Sequence, residues 1–248
     1  MGPNLDVAVS VQNLERRFGD FVAVNRISFE VGRGRIFGFL GPNGAGKSTT
    51  IRMLCGILSP SGGSGQVAGM DIRTQSEGIK AQIGYMSQRF SLYDDLTVRE
   101  NIRFFAGIYG LTDQAIKEKS RQLLETLKLV AVADTRLASL PLGWKQKLAF
   151  SVAILHEPKI VFLDEPTGGV DPVTRRRFWD MIYEASGRGL TIFVTTHYMD
   201  EAEYCNRLCI MVDGKVAVLD RPEAMKRHFG VESMNEVFIQ LARPHRTE

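Results

Sequence analysis

The sequence predicts an α/β fold in which helices flank a parallel sheet, and three observations lead to it. An apolar run at residues 35–40 is followed by a glycine-rich loop, residues 41–46, and then by a stretch of helical character. Later apolar runs at residues 160–163 and 190–194 are separated by a predicted helix over about 172–186. Strands that alternate with helices in this way form parallel sheets.

An antiparallel strand layer is predicted at the start of the chain. Between Val7 and Val31, apolar and polar residues alternate, and Gly19 with Asp20 interrupts the pattern. Half-buried strands joined by a tight turn have this pattern, because one face of such a layer meets the core and the other meets water.

The other elements follow in chain order. A helix is expected over residues 47–58, and helical periodicity over about 97–157 predicts a mostly helical insertion. The final strands, residues 208–212 and 215–219, are predicted to turn at Asp213 and Gly214.

Length and charge narrow the possible classes. A chain of 248 residues with 44% hydrophobic content suits one large α/β domain with a substantial core, and it does not suit disorder. The formal net charge of +3 is too small to indicate nucleic acid or anionic lipid as the main partner. The basic run Arg175–Arg177, on a predicted helix, indicates a solvated face.

Cysteine usage and hydropathy indicate a soluble chain. Cys55, Cys205 and Cys209 lack metal-ligand spacing and are interpreted as reduced core residues, which suits the cytosol. No run approaches the roughly 18 apolar residues of a spanning helix, so any membrane work requires a partner.

The loop after the first apolar run has the pattern of a phosphate-binding loop, or P-loop. Its glycines let successive backbone N–H groups point into one concavity, and the next helix adds its positive N-terminal end. We expect Lys47 to reach the β- and γ-phosphates and Ser48 to ligate magnesium. The predicted nucleotide-binding residues here are Gly41, Pro42, Asn43, Gly44, Ala45, Gly46, Lys47, Ser48 and Thr49.

Adjacent carboxylates end the apolar run at residues 160–163. A parallel strand there would deliver Asp164 beside the phosphate loop, where it can hold magnesium through water. Glu165 can accept the proton of an attacking water and aim that water at the γ-phosphate. Together the motifs predict an ATPase or GTPase, with Glu165 as the catalytic base.

Over nearly its whole length the sequence resembles the ATP-binding cassette family. Phe18 resembles the aromatic residue that stacks on adenine, and Gln88 resembles the glutamine that touches magnesium and the attacking water. His197 is similar to the histidine that contacts the γ-phosphate, and Asp171 to the aspartate that links the two sites of a dimer. The resemblance therefore assigns catalysis to Glu165, His197 and Gln88, and the metal to Ser48, Gln88 and Asp164.

The signature segment departs from the family pattern. The residues Leu140, Pro141, Leu142, Gly143 and Trp144 stand where the family has leucine, serine and two glycines, which bind the γ-phosphate held by the other cassette. Because proline has no donor, weakened engagement is the physical expectation. The site is then either altered but working, or the weak member of an asymmetric pair. The sequence of this segment resembles that of the C-terminal cassette of tandem multidrug-exporter ATPases. On this resemblance, the chain would be half of a longer protein.

The resemblance also implies an architecture and partners. It implies a RecA-like P-loop NTPase core with an antiparallel β-subdomain over about 6–90 and 158–225, a helical subdomain over about 91–157, and a tail over 226–248, all within one nucleotide-binding domain, 1–248. Two cassettes would close head to tail on ATP and magnesium. A groove beside Gln88 would receive a helix of a membrane permease at the cytoplasmic face of the inner membrane. Phe90, Leu92 and Tyr93 are either the apolar floor of this groove or, as the favoured alternative, ordinary core between the lobes.

Competing functions stay open at this stage. The favoured one is the motor of an exporter of drugs or other small molecules, with import as a weaker reading. A non-transport ATPase on ribosomes or DNA would usually show a coiled-coil insertion, a zinc module or a basic arm, so nucleic acid is not an expected partner. A binding switch with weak turnover is motivated by Pro141 and Leu142, while Glu165 and His197 favour hydrolysis.

Overall fold

The computed structural model describes residues 6–87 and 92–242, and it confirms the α/β fold with an added antiparallel layer. The strands are β1 (Val7–Phe18), β2 (Phe21–Gly32), β3 (Ile36–Leu40), β4 (Gly62–Val67), β5 (Met70–Asp71), β6 (Ile83–Met86), β7 (Ile160–Asp164), β8 (Thr191–Thr196), β9 (Arg207–Val212) and β10 (Lys215–Asp220). The helices are α1 (Lys47–Leu54), α2 (Ser76–Gln82), α3 (Val98–Ile108), α4 (Asp113–Thr126), α5 (Leu142–Ala153), α6 (Pro172–Gly187), α7 (Met199–Ala202), α8 (Pro222–Phe229) and α9 (Met234–Ala242).

The larger sheet brings the candidate site residues to one edge. Its order is β10-β9-β3-β8-β7-β6, with β9 to β6 parallel and β10 antiparallel to β9. Leu40 lies opposite Thr196, and Asp164 lies opposite Thr195. Because parallel strands end on the same side, the segments that follow β3, β7 and β8 leave the sheet together.

The smaller sheet supports β3 from one face. Its strands are antiparallel in the order β2-β1-β4-β5. Between the sheets lie buried aromatic rings: Phe29 is 5.5 Å from Phe37 and 5.4 Å from Phe39, and Phe37 is 5.3 Å from Phe193. Each such buried side chain contributes on the order of 1.5–3 kcal/mol, so the strand that carries the loop rests on a rigid base.

Some strands lacked a sequence signal, and α1 is shorter than predicted. The strand β4 has the sequence Gly-Gly-Ser-Gly-Gln-Val. Because glycine is rare in strands, this sequence did not predict one. Gly63 has φ 74°, and a Cβ there would lie 2.1 Å from the carbonyl oxygen of Asn13, so the strands approach too closely for another residue. The helix α1 ends at Leu54 because the chain turns at Gly56, with φ 67°.

The segment between β6 and β7 is helical, as the periodicity predicted. Thr97 caps α3 through a reciprocal pair of bonds with Glu100, and the Thr112 hydroxyl caps α4. Apolar side chains of α3, α4 and α5, among them Ile102, Leu124 and Phe150, belong to one core with residues of the larger sheet. The helices thus share their hydrophobic support with the strands that end at the site.

The basic run Arg175–Arg177 is not uniformly solvated, so that interpretation is wrong for its first member. The side chain of Arg175 is only 15% exposed, and its guanidinium lies 3.7 Å from the centre of the Tyr198 ring. Arg176 stays at the surface. Sequence periodicity did not anticipate the partner, because Tyr198 lies after another strand.

The three cysteines lie in the interior of the fold. Cys55, Cys205 and Cys209 are free thiols and are buried. Burial raises the pKa of all three, that of Cys209 to about 12. Within the described ranges, no helix has both the length and the apolar character needed to cross a bilayer.

The contact between β6 and α5 gives a stability prediction. A Cβ on Gly84 would lie 2.1 Å from the carbonyl oxygen of Ala153, so Gly84→Ala should lower the free energy of unfolding by about 2 kcal/mol in urea denaturation. Gly107→Ala is the matched control. Gly107 lies inside α3 with nothing within 4 Å of an added Cβ, and alanine there should raise stability by about 0.5 kcal/mol. Equal effects of the two changes would contradict this account.

Candidate active site

The glycine-rich loop packs so tightly that side chains are excluded at several positions. Gly44 has φ 82° and Gly46 has φ 97°, a region that favours glycine. A Cβ on Gly46 would lie 2.5 Å from the carbonyl oxygen of Ala23, and one on Gly41 would lie 2.3 Å from that of Met211. The loop is therefore pressed against β2 and β9, while Gly44 at its tip is exposed.

Lys47 is held under this loop. It is the first residue of α1 and is 5% exposed, and its Nζ donates to the carbonyl oxygens of Gly41 at 2.7 Å and Pro42 at 3.1 Å. Burial lowers the pKa of Lys47, and the nearby carboxylates of Glu165 and Asp164 oppose that shift. A cation and the N-terminal end of α1 therefore face the same concavity, which suits an anion such as a phosphate group.

A hydroxyl and a carboxylate meet beside the loop. The Oγ of Ser48 donates to Oδ1 of Asp164 at 3.1 Å, and the same oxygen accepts from Oγ1 of Thr195 at 2.6 Å. Asp164 ends β7 and is 3% exposed. Hard oxygen donors of this kind, next to a phosphate cradle, are the ligand set that Mg²⁺ prefers, so the side chains present fit that ion.

Glu165 is fixed in an uncommon backbone conformation. Its φ is 50°, rare for a residue with a side chain, and its amide donates to the carbonyl oxygen of Thr195 at 3.2 Å and to the Thr195 hydroxyl at 2.8 Å. Its Oε2 lies 3.2 Å from Nδ1 of His197. The neighbouring strand thus holds both backbone and side chain of Glu165, a type of strain that concentrates at functional sites.

A cavity of about 350 Å³ opens at this pair. Its lining includes Glu165, His197, Ser87, Gly168 and Gln146. The side chain of Gln146, from α5, donates to the carbonyl oxygen of Gly168 at 3.2 Å. The cavity therefore lies where α5 meets the turn after β7, next to two groups that can accept or donate a proton.

Other predicted residues lie elsewhere in the chain's fold. Phe18 ends β1, with its ring 48% exposed and the guanidinium of Arg16 lying 4.5 Å from the ring centre. Gln88, predicted for catalysis and metal binding, lies outside the described residues, as does Phe90. Leu92 is 7% exposed and belongs to the core, which is the favoured alternative for it, whereas Tyr93 is 52% exposed.

The signature segment begins α5. Pro141 is the N-cap residue, and among the described residues no side chain caps this helix. Leu140 is buried and Trp144 is 41% exposed. A Cβ on Gly143 would lie 2.5 Å from Cγ2 of Thr174, so the start of α5 packs closely on the start of α6.

Asp171 caps α6 within its own chain. Its Oδ1 accepts from the amides of Val173 and Thr174 at 3.0 Å each, and its Oδ2 accepts from the Thr174 hydroxyl at 2.6 Å. These bonds, that of the Thr174 hydroxyl above all, lower the pKa of Asp171. The aspartate is exposed and so remains accessible from outside.

Sequence reasoning missed Thr195 and Gln146. Thr195 has no exposure, and its hydroxyl links Asp164 to the amide of Glu165. Its only signal is a pair of polar residues, Thr195 and Thr196, at the end of an otherwise apolar strand just before His197. Gln146 lies in the segment after the signature and was assigned no role.

Comparisons with known proteins match the chain to one family. The model of the family "ABC transporter" matches residues 24–168. A probable multidrug ABC transporter ATP-binding protein, YbhF, of Escherichia coli (strain K12) is 46% identical over 241 residues, which are 95% of this chain and 42% of that protein. The Nod factor export ATP-binding protein I of Rhizobium sp. (strain N33) is 38% identical over 248 residues, 96% of this chain and 81% of the relative. The chain thus spans less than half the length of the Escherichia coli protein.

Solved structures agree as well. The ATP-binding subunit of an ABC transporter superposes with a TM-score of 0.85 at 29% identity and covers 95% of this chain and 100% of that one. CbiO1 from Clostridium perfringens, described as part of the transporter complex cbiONQ, superposes with a TM-score of 0.80 at 28% identity over 91% of each chain.

The loop geometry gives a second stability prediction. Gly46→Ala and Gly44→Ala both place a side chain at positive φ, which costs about 1–2 kcal/mol. Only the first also drives a Cβ against the Ala23 carbonyl, whereas Gly44 has nothing within 4 Å. Urea denaturation should therefore show a further loss of about 1–3 kcal/mol for Gly46→Ala. If the two variants unfold alike, the loop is not pressed against β2 as described.

Proposed function

This chain belongs to the ABC transporter family, and on that basis we propose that it is the ATP-hydrolysing cassette that powers a membrane exporter. The pairing of Glu165 Oε2 with His197 Nδ1 at 3.2 Å, beside Asp164 and the phosphate loop, is the observation on which the proposal chiefly rests. A cassette that only bound ATP would have no use for groups that position water.

The proposed substrate is ATP, held from both ends. Loop amides and Lys47 would bind its phosphates, and the exposed ring of Phe18, backed by Arg16, would stack on adenine. Ser48 and Asp164, with Gln88, would hold magnesium. The ion, when bound, neutralises charge that develops on the phosphoryl oxygens.

The proposed chemistry is the attack of water on the γ-phosphorus. Glu165 accepts the water proton as the bond from the water oxygen to phosphorus forms, and the bond from phosphorus to the bridging oxygen breaks, leaving its electrons on ADP. His197 orients the Glu165 carboxylate through the bond at its Nδ1 and stabilises charge near the γ-phosphate. The half-exposed histidine is reachable from the cavity, as this role requires.

A second cassette would complete the site. By helix geometry, the first N–H groups of α5, at Leu142 and Gly143, have no partner within the helix, so this end still offers donors to the γ-phosphate of another cassette. Pro141 offers neither a hydroxyl nor an N–H. Asp171, exposed at the start of α6, would face the other cassette. We propose weakened engagement, with a homodimer or a different, fused or separate cassette as partner.

The membrane partner is proposed to be a permease that the chain meets as a peripheral subunit at the cytoplasmic face of the inner membrane. A helical lobe over about 91–157 would present the docking surface. Tyr93, Phe104 and Ile108 expose apolar area there, and the rings of Tyr93 and Phe104 are 5.1 Å apart. Small molecules, including drugs, are the proposed cargo because one named relative is described as a multidrug ABC transporter ATP-binding protein and the other as a Nod factor export ATP-binding protein.

Hydrolysis across protein concentration tests the proposal. The rate of Mg-ATP hydrolysis per chain should rise with concentration, because each site needs a second cassette. Glu165→Gln keeps the shape of the side chain but not its basicity, and it should lower the rate by about 10²–10⁴-fold with ATP still bound. A background rate at every concentration, with ATP binding intact, would favour the switch with weak turnover or an obligatory different partner.

The signature gives a separate prediction. Pro141→Ser supplies a hydroxyl at the N-cap of α5, and one hydrogen bond to a charged phosphate is worth about 1.5–3 kcal/mol. The protein concentration for half-maximal hydrolysis should therefore fall by about tenfold or more. Pro141→Ala removes the ring without adding a hydroxyl and is the matched control. Equal behaviour of the serine and alanine variants would show that the hydroxyl is not what this site lacks.

A further inference from the structure

A fully buried carboxylate lies behind the active site. Glu201, in the short helix α7, has no solvent exposure, and the roles described above do not use it. An ionisable side chain in such a position is costly unless hydrogen bonds or charges compensate it. Its partners therefore indicate why the fold tolerates it.

Two threonine hydroxyls donate to the two oxygens of this carboxylate. The Oγ1 of Thr167 donates to Oε1, and the Oγ1 of Thr196 donates to Oε2, each at 2.5 Å. Both threonines are 1% exposed. Thr167 comes two residues after Glu165, and Thr196 comes immediately before His197. The carboxylate thus joins the two segments that carry the proposed base and its histidine.

A largely buried arginine adds a third connection. The Nε of Arg175 lies 3.6 Å from Oε1 of Glu201, and its guanidinium covers the ring of Tyr198. Arg175 stands on α6, four residues after the cap residue Asp171, whose carbonyl oxygen accepts from the Arg175 amide at 2.9 Å. Glu201 therefore also ties the start of α6 to the turn that bears His197.

The chemistry of this cluster calls for glutamate in particular. An ionised carboxylate accepts at both oxygens, so it satisfies two hydroxyl donors and faces a guanidinium at the same time. Glutamine would replace one acceptor by a donor and leave one hydroxyl without its acceptor. Aspartate is one methylene shorter and would not span both threonines from the same backbone position.

From this arrangement we propose that Glu201 is a positioning residue for ATP hydrolysis, which holds Glu165 and His197 in register by joining Thr167, Thr196 and Arg175. The inference rests on the proposed function of Glu165 and His197. In the described part of the chain, the hydrogen bonds and ion pair of the Glu201 carboxylate go to Thr167, Thr196 and Arg175 and not to the phosphate loop or Lys47, so we expect its effect on hydrolysis and not on nucleotide binding. A displacement of about 1 Å in a reacting group is enough to lower a rate 10²-fold.

The test compares Glu201→Gln with wild type at a protein concentration that gives full activity. We expect kcat for Mg-ATP hydrolysis to fall about 10- to 100-fold with KM for ATP nearly unchanged, when the assay is run well below the thermal midpoint of the variant. That midpoint falls, because one buried hydroxyl loses its acceptor. Glu203→Gln is the matched control, because Glu203 lies two residues away, pairs with Lys226 near the surface and contacts none of the site residues named here. It should keep wild-type kcat.

A hydroxyl deletion provides an independent variant if Glu201→Gln fails to fold. Thr167→Val preserves shape but removes the donor, and Thr167→Ser preserves the donor. We expect kcat to fall for the valine variant and to be retained by the serine variant, with KM steady in both. A purely structural role would lower stability and raise KM as kcat falls in the valine variant, and serine would then restore all three together.

The outcomes separate this inference from the function beneath it. If wild type hydrolyses ATP and Glu165→Gln does not, while Glu201→Gln and Thr167→Val keep wild-type kcat, the positioning role is overturned and the ATPase stands. If kcat falls only at temperatures where the variant unfolds, and KM rises with it, Glu201 serves stability alone, and the positioning role is again overturned. If Glu165→Gln hydrolyses ATP as fast as wild type, the proposed function itself fails.

Discussion

The carboxylate of Asp164 is the point on which the site depends. It is buried at the end of β7. It accepts hydrogen bonds from the hydroxyl groups of Ser48, at the start of α1, and Thr195, near the end of β8. Because β8 lies between β3 and β7 in the sheet, these bonds join three consecutive strands at their carboxyl ends. The Thr195 hydroxyl in turn accepts from the amide of Glu165, so one hydrogen-bonded unit positions both the oxygens proposed to bind the metal and the proposed base.

Close approach of α5 to β6 and α6 keeps this helix next to the hydrogen-bonded unit around Asp164. At Gly84, β6 lies so close to the end of α5 that a Cβ would be 2.1 Å from the carbonyl oxygen of Ala153. The side chain of Gln146, in the same helix, donates to the carbonyl oxygen of Gly168 in the turn after β7. At the other end of α5, Gly143 lies against Thr174 of α6. Movement of α5 would therefore act on the segments on both sides of Glu165, since interiors packed at this density do not deform gradually.

Much of this arrangement could be predicted because its signals are local. The loop, Lys47, Ser48, Asp164, Glu165 and His197 each follow a short apolar strand, and parallel strands end together, so order along the chain was enough. Thr195, Glu201 and Arg175 could not be predicted in their roles, because their partners are 5 to 34 residues away in the chain and no periodicity reports a buried polar contact. The strand β4 was not predicted because its glycines, which permit close approach to β1, have low strand propensity.

The buried thiols have a practical consequence for following the motion of such a cassette. Cys55, Cys205 and Cys209 are all in the interior, and their raised pKa values leave almost no thiolate at neutral pH. Thiol-directed dyes and spin labels react with the thiolate, so the native chain is nearly silent to them. A single cysteine introduced at an exposed position would then carry the label alone, and distances between cassettes could be recorded without first rebuilding the core.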